Sequence, residues 1–170
     1  IDTSLRVAFL SRFPFLTTDA IRSPEGAKEV TRLHPVVKVD VPGTSQDPFV
    51  ISAHLKAGST LADRFRRAVD MKRLVGYLNA QGLTNDDNYI IVGDFNFNPG
   101  YPNATYASVP TTQDMPGSYV LGADLTFPLS YSINPLAYFT TPGASKLDPR
   151  QINGSSVTLP SGAGFAIDLV

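Results

Sequence analysis

The chain has 170 residues, a length that suits one domain with its own hydrophobic core. Its composition, 42% hydrophobic and 17% charged, is typical of a globular rather than a disordered chain, and no apolar run is long enough to predict a membrane-spanning helix. A net charge of −1 argues against a protein that grips nucleic acid through a broadly basic surface, and the absence of cysteine excludes disulfides, thiol nucleophiles and thiolate zinc sites.

The regular elements are predicted in residues 1–100. Residues 5–10 form a short apolar run that fits a strand. Residues 37–41 alternate valine with charged side chains, and a second strand over residues 49–55 follows a loop that is punctuated by Pro and Gly. These two segments therefore predict a hairpin with a long turn. On its second strand, Ile51, Ala53 and Leu55 share one face, and His54 lies on the other.

The clearest helix is predicted after this hairpin. Thr60 is suited to cap it, Asp63 completes a capping-box pattern, and Gly82 stands where a helix C-terminus favours glycine. The basic side chains along this helix are typical of a solvated face, with a nucleic-acid-binding patch as the alternative. Residues 89–92 then form a continuous apolar run, which predicts a strand buried on both faces.

Residues 101–170 have a different composition. They contain eight of the 14 prolines and only six charged residues, and they are rich in Ser, Thr, Asn and Gly. Proline breaks helices and cannot donate a hydrogen bond within a sheet. This half is therefore predicted to consist of loops and short strands of the same domain, so that residues 1–170 form one unit.

Asp94 and Asn96 are the sharpest chemical feature of the sequence. They follow the apolar strand directly and stand two residues apart, which places a carboxylate and an amide on the same side of an extended segment. Such a pair could take a proton from water and help hold a hard cation. The alternative is an ordinary strand-end turn, because Gly, Asp and Asn are favoured turn residues.

Four further residues are candidates for a site. His54 could donate to a phosphate oxygen, or it could be a hydrogen-bonded histidine on a strand face; Lys56 follows it where a loop could approach a ligand. Arg12 suits bidentate phosphate binding, or a structural ion pair. Asp168 lies in an apolar run and needs a partner if buried. The other histidine, His34, is interpreted as structural. No nucleophile elbow, phosphate-binding glycine loop or HExxH motif is present.

Taken together, four segments and their order resemble the endonuclease/exonuclease/phosphatase superfamily, which has the deoxyribonuclease I fold. The segments are residues 7–14, residues 51–58 with the sequence Ile-Ser-Ala-His-Leu-Lys-Ala-Gly, the Arg-rich helix, and residues 91–96 with the sequence Ile-Val-Gly-Asp-Phe-Asn. Residues 166–170 resemble a later strand. The resemblance implies an α/β two-sheet sandwich with outer helices, of which this chain is the central portion.

The resemblance also implies a function and roles for residues. A phosphoester bond would be hydrolysed by water with the help of Mg²⁺, or of Mn²⁺ or Ca²⁺. His54 would contact the scissile phosphate, Asp94 would orient or deprotonate the attacking water, and Asn96 would help hold the metal or the phosphate. Asp168 would correspond to the aspartate that positions a second histidine. The substrate class stays open between nucleic acid, phospholipid and a small phosphate ester.

Two parts of the superfamily pattern have no counterpart in the sequence. The metal-binding Glu would precede Ile1, and the closing Ser-Asp-His would follow Asp168. We therefore expect a piece of a longer phosphoesterase that is inactive alone and needs the remaining segments of the same protein. The alternative is a degenerate domain that serves binding or extracellular assembly. The glycosylation sequons at Asn103 and Asn153 favour export only in a eukaryote, so the lean towards secretion is weak.

Overall fold

The computed structural model describes residues 7–84, 87–96, 105–106, 115–127 and 130–139. Strands β1 (Phe15–Ile21), β2 (His34–Val39), β3 (Phe49–His54) and β4 (Tyr89–Asp94) form one sheet in that order. Helix α1 (Leu61–Ala80) connects β3 to β4. Strands β5 (Thr105–Tyr106) and β6 (Tyr131–Ser132) form a short second sheet, and α2 (Leu136–Phe139) is a single turn. The predicted α/β class is confirmed.

The strand directions decide which ends of the sheet meet. Strands β1 and β2 are antiparallel, as are β2 and β3, whereas β3 and β4 are parallel. The long crossover through α1 permits this parallel pairing, which a short turn could not make. As a result, the carboxyl ends of β3 and β4 lie at the same edge of the sheet, beside the beginning of β2.

The core lies between this sheet and α1. The cluster combines side chains from one face of the sheet with side chains of the helix: Val36, Ile51, Ala53, Leu55 and Ile91 with Met71, Leu74 and Leu78. Burying each of the larger side chains stabilises the fold by roughly 1.5–3 kcal/mol before entropy is counted. The predicted face of β3, which carries Ile51, Ala53 and Leu55, is the one that packs on the helix.

Helix α1 follows its sequence signals closely. Thr60 is the N-cap, its hydroxyl accepts the Asp63 N–H, and the Asp63 side chain accepts the Thr60 N–H, so the capping box is confirmed. The helix ends at Ala80, and Gly82 follows with a φ of +67°, a conformation that favours glycine. Among the described residues, no helix is both long and apolar enough to cross a membrane.

Three sequence expectations need correction. Residues 7–10, the described part of the strand predicted over residues 5–10, are not in a strand, and Leu10 is fully exposed; the first strand among the described residues is β1, whose Thr17-Thr18-Asp19 run gives no apolar alternation. Strand β2 begins at His34, three residues earlier than predicted. Strand β4 is buried on the helix side only, because Ile90 on its other face is 41% exposed.

Much of the basic face of α1 is occupied rather than free. Lys72 Nζ donates to the Thr126 carbonyl at 2.8 Å, and the Arg73 guanidinium bonds both Glu29 and Asp124. The Asp124 bond, followed by that of Glu29, raises the pKa of Arg73 against the effect of burial. These contacts hold the segment around Glu29 and residues 121–127 against the helix. Because the two cations are already engaged by the protein, they argue against a nucleic-acid-binding patch at this part of the helix surface.

Candidate functional site

His54 and Asp94 come together because β3 and β4 are parallel and in register. Each is the last residue of its strand, and the two are direct partners across the ladder. Partners in register point to the same face of a sheet. Their side chains therefore meet at one edge, with His54 Nε2 and Asp94 Oδ2 3.9 Å apart. That distance is too long for a direct hydrogen bond and leaves both atoms within reach of one shared water or phosphate oxygen.

This pair is open to solvent. The side chains of His54 and Asp94 are 29% and 38% exposed. Both lie on the sheet face opposite α1, beside half-buried Ser52 and Val92. A polar ligand could therefore approach them without any rearrangement of the helix-packed core.

Asn96 joins the pair through a tight turn. Its backbone N–H donates to Asp94 Oδ1 at 2.7 Å, and its φ is +48°, a left-handed conformation that Asn tolerates better than most residues. Its side-chain Nδ2 donates to the Leu55 carbonyl at 3.0 Å. The amide is thus held by its nitrogen, which leaves its Oδ1 as the atom suited to a cation or a polar ligand.

Gly93 allows the two strand ends to approach each other. Its φ is +130°, and a Cβ at this position would overlap the carbonyl oxygen of Ala53. Both the backbone conformation and the close approach exclude a larger residue without distortion. Gly93 is therefore needed to bring Asp94 into register with His54.

A hard cation suits the donors at this edge, although the set is small. Asp94 offers a carboxylate and Asn96 an amide oxygen, and Mg²⁺ is commonly bound by one or two carboxylates while water and substrate phosphate complete its shell. In the described part of the chain, no group of three or more His, Asp or Glu side chains is gathered closely enough to bind a metal ion. The two oxygen donors fit Mg²⁺ as part of its ligand set.

The other candidate residues are placed differently. Lys56 Nζ lies 3.0 Å from Asp63 Oδ1, so it is engaged at the start of α1. Arg12 is exposed beside Phe13 and precedes β1, whose first residue pairs with Val39 at the end of β2. This register places Arg12 towards the sheet edge opposite His54, so the structure does not bring it to the site. Asp168 lies outside the described residues, as do the sequons at Asn103 and Asn153.

His34, interpreted from the sequence as structural, is buried. It is the first residue of β2 and is 0% exposed, and its Nε2 lies 3.8 Å from Oδ1 of Asp70 on α1. Burial raises the pKa of Asp70, while His34, Arg66 and the Lys56 N–H act in the opposite direction. This buried pair lies behind the site and cannot contact a ligand at the exposed face.

Sequence reasoning missed the side chains that hold the loop after His54. Arg67 Nη1 donates to the carbonyls of Lys56 and Gly58 at 2.7 and 2.8 Å, and Arg32 Nη1 donates to that of Leu55 at 3.5 Å. One signal was present in the sequence. Arg67 and Asp70 flank Ala68 on the apolar stripe of α1, and charged side chains on a core face imply dedicated partners.

Comparison with known proteins identifies solved structures but no family. No family profile matches the chain, and no curated protein matches it. The crystal structure of SmcL aligns with 53% of this chain and 33% of its own chain. The aligned sequences are 22% identical, and the TM-score is 0.44. A beta toxin structure from Staphylococcus aureus is 26% identical, with a TM-score of 0.36, over 41% of this chain and 25% of that one.

A third solved structure is sphingomyelinase C from Streptomyces griseocarneus. It is 18% identical, with a TM-score of 0.39, over 52% of this chain and 32% of that one. The matches cover a third or less of each of these proteins. Similarity at this level assigns neither a family nor an activity to the chain.

Proposed function

We propose that this chain carries part of the active site of a metal-dependent phosphoesterase, which hydrolyses a phosphoester bond by attack of water. The observation that carries the proposal is the in-register meeting of His54 and Asp94 at the exposed end of two parallel strands, 3.9 Å apart. The sequence motifs shared with the endonuclease/exonuclease/phosphatase superfamily support it, because they contain these two residues and Asn96.

Each residue has a role that matches its position. His54 donates to a phosphate oxygen, and Asp94 orients or deprotonates the attacking water. Asn96, held by its Nδ2, offers its Oδ1 to the metal or the phosphate. A bound Mg²⁺ would supply charge that stabilises the phosphate oxygens as negative charge develops. Lys56 is a candidate substrate ligand once it leaves Asp63, and Asp168 is proposed to position a second histidine.

The wider organisation belongs to the same proposal. Residues 1–170 form one partial domain, in which residues 101–170 supply loops and short strands. Further segments of the same protein contribute the remaining catalytic groups. The substrate is a phosphoester of a nucleic acid, a phospholipid or a small molecule. Export from the cell is part of the proposal only for a eukaryotic protein, in which the sequons at Asn103 and Asn153 favour it.

The decisive experiment compares two isosteric variants of the full-length protein, with all the sequence its gene encodes. Hydrolysis of single-stranded DNA, sphingomyelin and p-nitrophenyl phosphate is measured with Mg²⁺ and with EDTA. Asp94→Asn should lower kcat by about a hundredfold or more, because it removes the base and a metal ligand. Asp47→Asn is the matched control, since Asp47 caps the turn after β2 by accepting the Val41 N–H at 2.9 Å.

The outcomes separate the alternatives. Mg²⁺-dependent turnover that Asp94→Asn abolishes and Asp47→Asn leaves within about twofold supports the proposal. Undiminished turnover in Asp94→Asn refutes the role of Asp94. A full-length protein that binds a phosphoester and never hydrolyses it favours the degenerate binding domain instead.

A further inference from the structure

The loop between His54 and α1 is held by a buried side chain of the helix. Arg67 is 5% exposed and donates from Nη1 to the carbonyls of Lys56 and Gly58. Asp70 is 1% exposed; burial raises the pKa of its carboxyl, and the backbone N–H of Lys56 acts to lower it. Residues three apart are neighbours on a helix surface. Arg67 therefore binds the Lys56 carbonyl on the side of the loop where Asp70 is also buried.

The same loop fixes the side chain of Asn96. The Leu55 carbonyl accepts Asn96 Nδ2 at 3.0 Å, while the Leu55 N–H donates to the Asp94 carbonyl at 2.9 Å. Leu55 immediately precedes Lys56, whose carbonyl Arg67 binds. Hydrogen bonds therefore connect the buried Arg67 side chain, through the backbone of residues 55–56, to the amide of Asn96.

Burying these charges is costly, which makes a purely packing role a poor explanation. Taking an ionised side chain out of water costs several kcal/mol unless specific partners compensate, and apolar residues of similar volume often stabilise a core as well or better. What the guanidinium adds is direction, because it fixes the carbonyls of Lys56 and Gly58. Small displacements of a catalytic group can lower a rate by about a hundredfold.

We propose that Arg67 is a positioning residue that holds the loop at residues 55–58 so that the Leu55 carbonyl orients the Asn96 amide. Arg67 is buried beneath the loop and is not among the residues proposed to contact substrate or metal. Its kinetic consequence rests on the proposed function, whereas its effect on Asn96 does not. The two can therefore be tested separately in the full-length protein.

The test compares Arg67→Met with Lys72→Met. Both residues are cations of α1 that donate to backbone carbonyls, but Lys72 bonds Thr126, away from the loop. The first readout is the ¹H–¹⁵N signal of the Asn96 side-chain amide, which Asn96→Asp assigns by removing it. Arg67→Met should shift this signal towards that of a solvent-exposed amide and speed its exchange with water. Lys72→Met should leave it unchanged.

The second readout is hydrolysis. Arg67→Met should lower kcat by about tenfold to a hundredfold while KM changes by less than about threefold, because substrate binding is kept and alignment is lost. Asp70→Asn keeps a polar side chain of similar shape beside Arg67 and should retain the Asn96 signal. If Arg67→Met does not fold, Arg67→Lys keeps the charge with a shorter reach, and it should give a smaller shift in the same direction.

The proposal fails if the folded Arg67 variant keeps the wild-type Asn96 signal, whether or not its activity falls. It also fails if Lys72→Met shifts that signal equally, since the effect would then reflect general loosening of the helix. If the wild-type protein hydrolyses no phosphoester, the proposed function fails while the Asn96 signal still decides the positioning role.

Discussion

At the carboxyl ends of β3 and β4 the backbone is held by buried side chains of α1, whereas at the amino ends of the same strands it is held by surface groups. Asn88 supplies the contacts there: its carbonyl accepts the Phe49 N–H at 3.0 Å, and its exposed side chain donates to the Gln46 carbonyl at 2.9 Å. Turn residues with water beside them suffice to close a strand pair. The buried charged groups under the other end are the arrangement that the proposed positioning role requires.

Alanine substitutions of two glycines test this contrast between the two ends of the strands, and they should give the largest change in unfolding free energy. Gly93→Ala should destabilise the protein by at least about 3 kcal/mol, because the new methyl group meets the Ala53 carbonyl and the backbone is left-handed. Gly43, in the turn after β2, also has a positive φ of +85°, but nothing lies within 4 Å of its added Cβ. Gly43→Ala should therefore cost only about 1 kcal/mol.

Urea unfolding of both variants measures the difference. Equal losses of unfolding free energy would show that a methyl group fits at position 93 without displacing the Ala53 carbonyl, contrary to the close approach in the structure. A loss at Gly43 alone would reverse the comparison between the two ends of the sheet.

The carboxylates of α1 give a smaller, pH-dependent contrast. Burial raises the pKa of Asp70 above its ordinary value of 3.8, so the folded protein holds that proton more tightly than the unfolded chain. The contribution of Asp70 to stability must then fall as the pH rises from about 4 through the raised pKa. Replacing Asp70 by Asn should remove this fall, so the stability of Asp70→Asn relative to wild type should increase with pH.

Asp63 should show the opposite sign. Partial burial raises its pKa, but the Thr60 and Lys56 hydrogen bonds outweigh burial and lower it below 3.8. Its stabilisation is present above pH 3.8 and is lost as the pH falls through the lowered pKa. The loss of unfolding free energy that Asp63→Asn causes relative to wild type should thus grow as the pH rises over the acid range. Unfolding free energies from pH 2 to 8 measure both slopes, and slopes of the same sign would contradict this assignment.

Arg12 gives the smallest expected effect. Since the register of β1 places it towards the far edge of the sheet, Arg12→Gln should change kcat/KM for the best substrate by less than about twofold. Steady-state kinetics of Arg12→Gln and His54→Gln measure the contrast, because His54→Gln should lose most of its activity. A loss of tenfold or more in Arg12→Gln would mean that the substrate reaches across to the amino ends of the strands.

Local patterns in the sequence predicted the parts of the fold that depend on neighbouring residues. The capping box at Thr60 and Asp63, the glycine at position 82 and the alternation along β3 all act within a few residues, and the structure has each of them. Strand β1 escaped prediction because its residues are mostly exposed, and exposed strands carry no apolar period.

The sequence by itself determined the chemistry at the strand ends: a histidine at the end of one apolar strand, and Gly-Asp-x-Asn at the end of another. Only the tertiary structure decided that His54 and Asp94 meet, that Arg12 lies elsewhere and that Arg67 and Asp70 turn inward beneath the loop. The reason is physical. Strand order, register and burial depend on contacts between residues far apart in the chain, which no local pattern records.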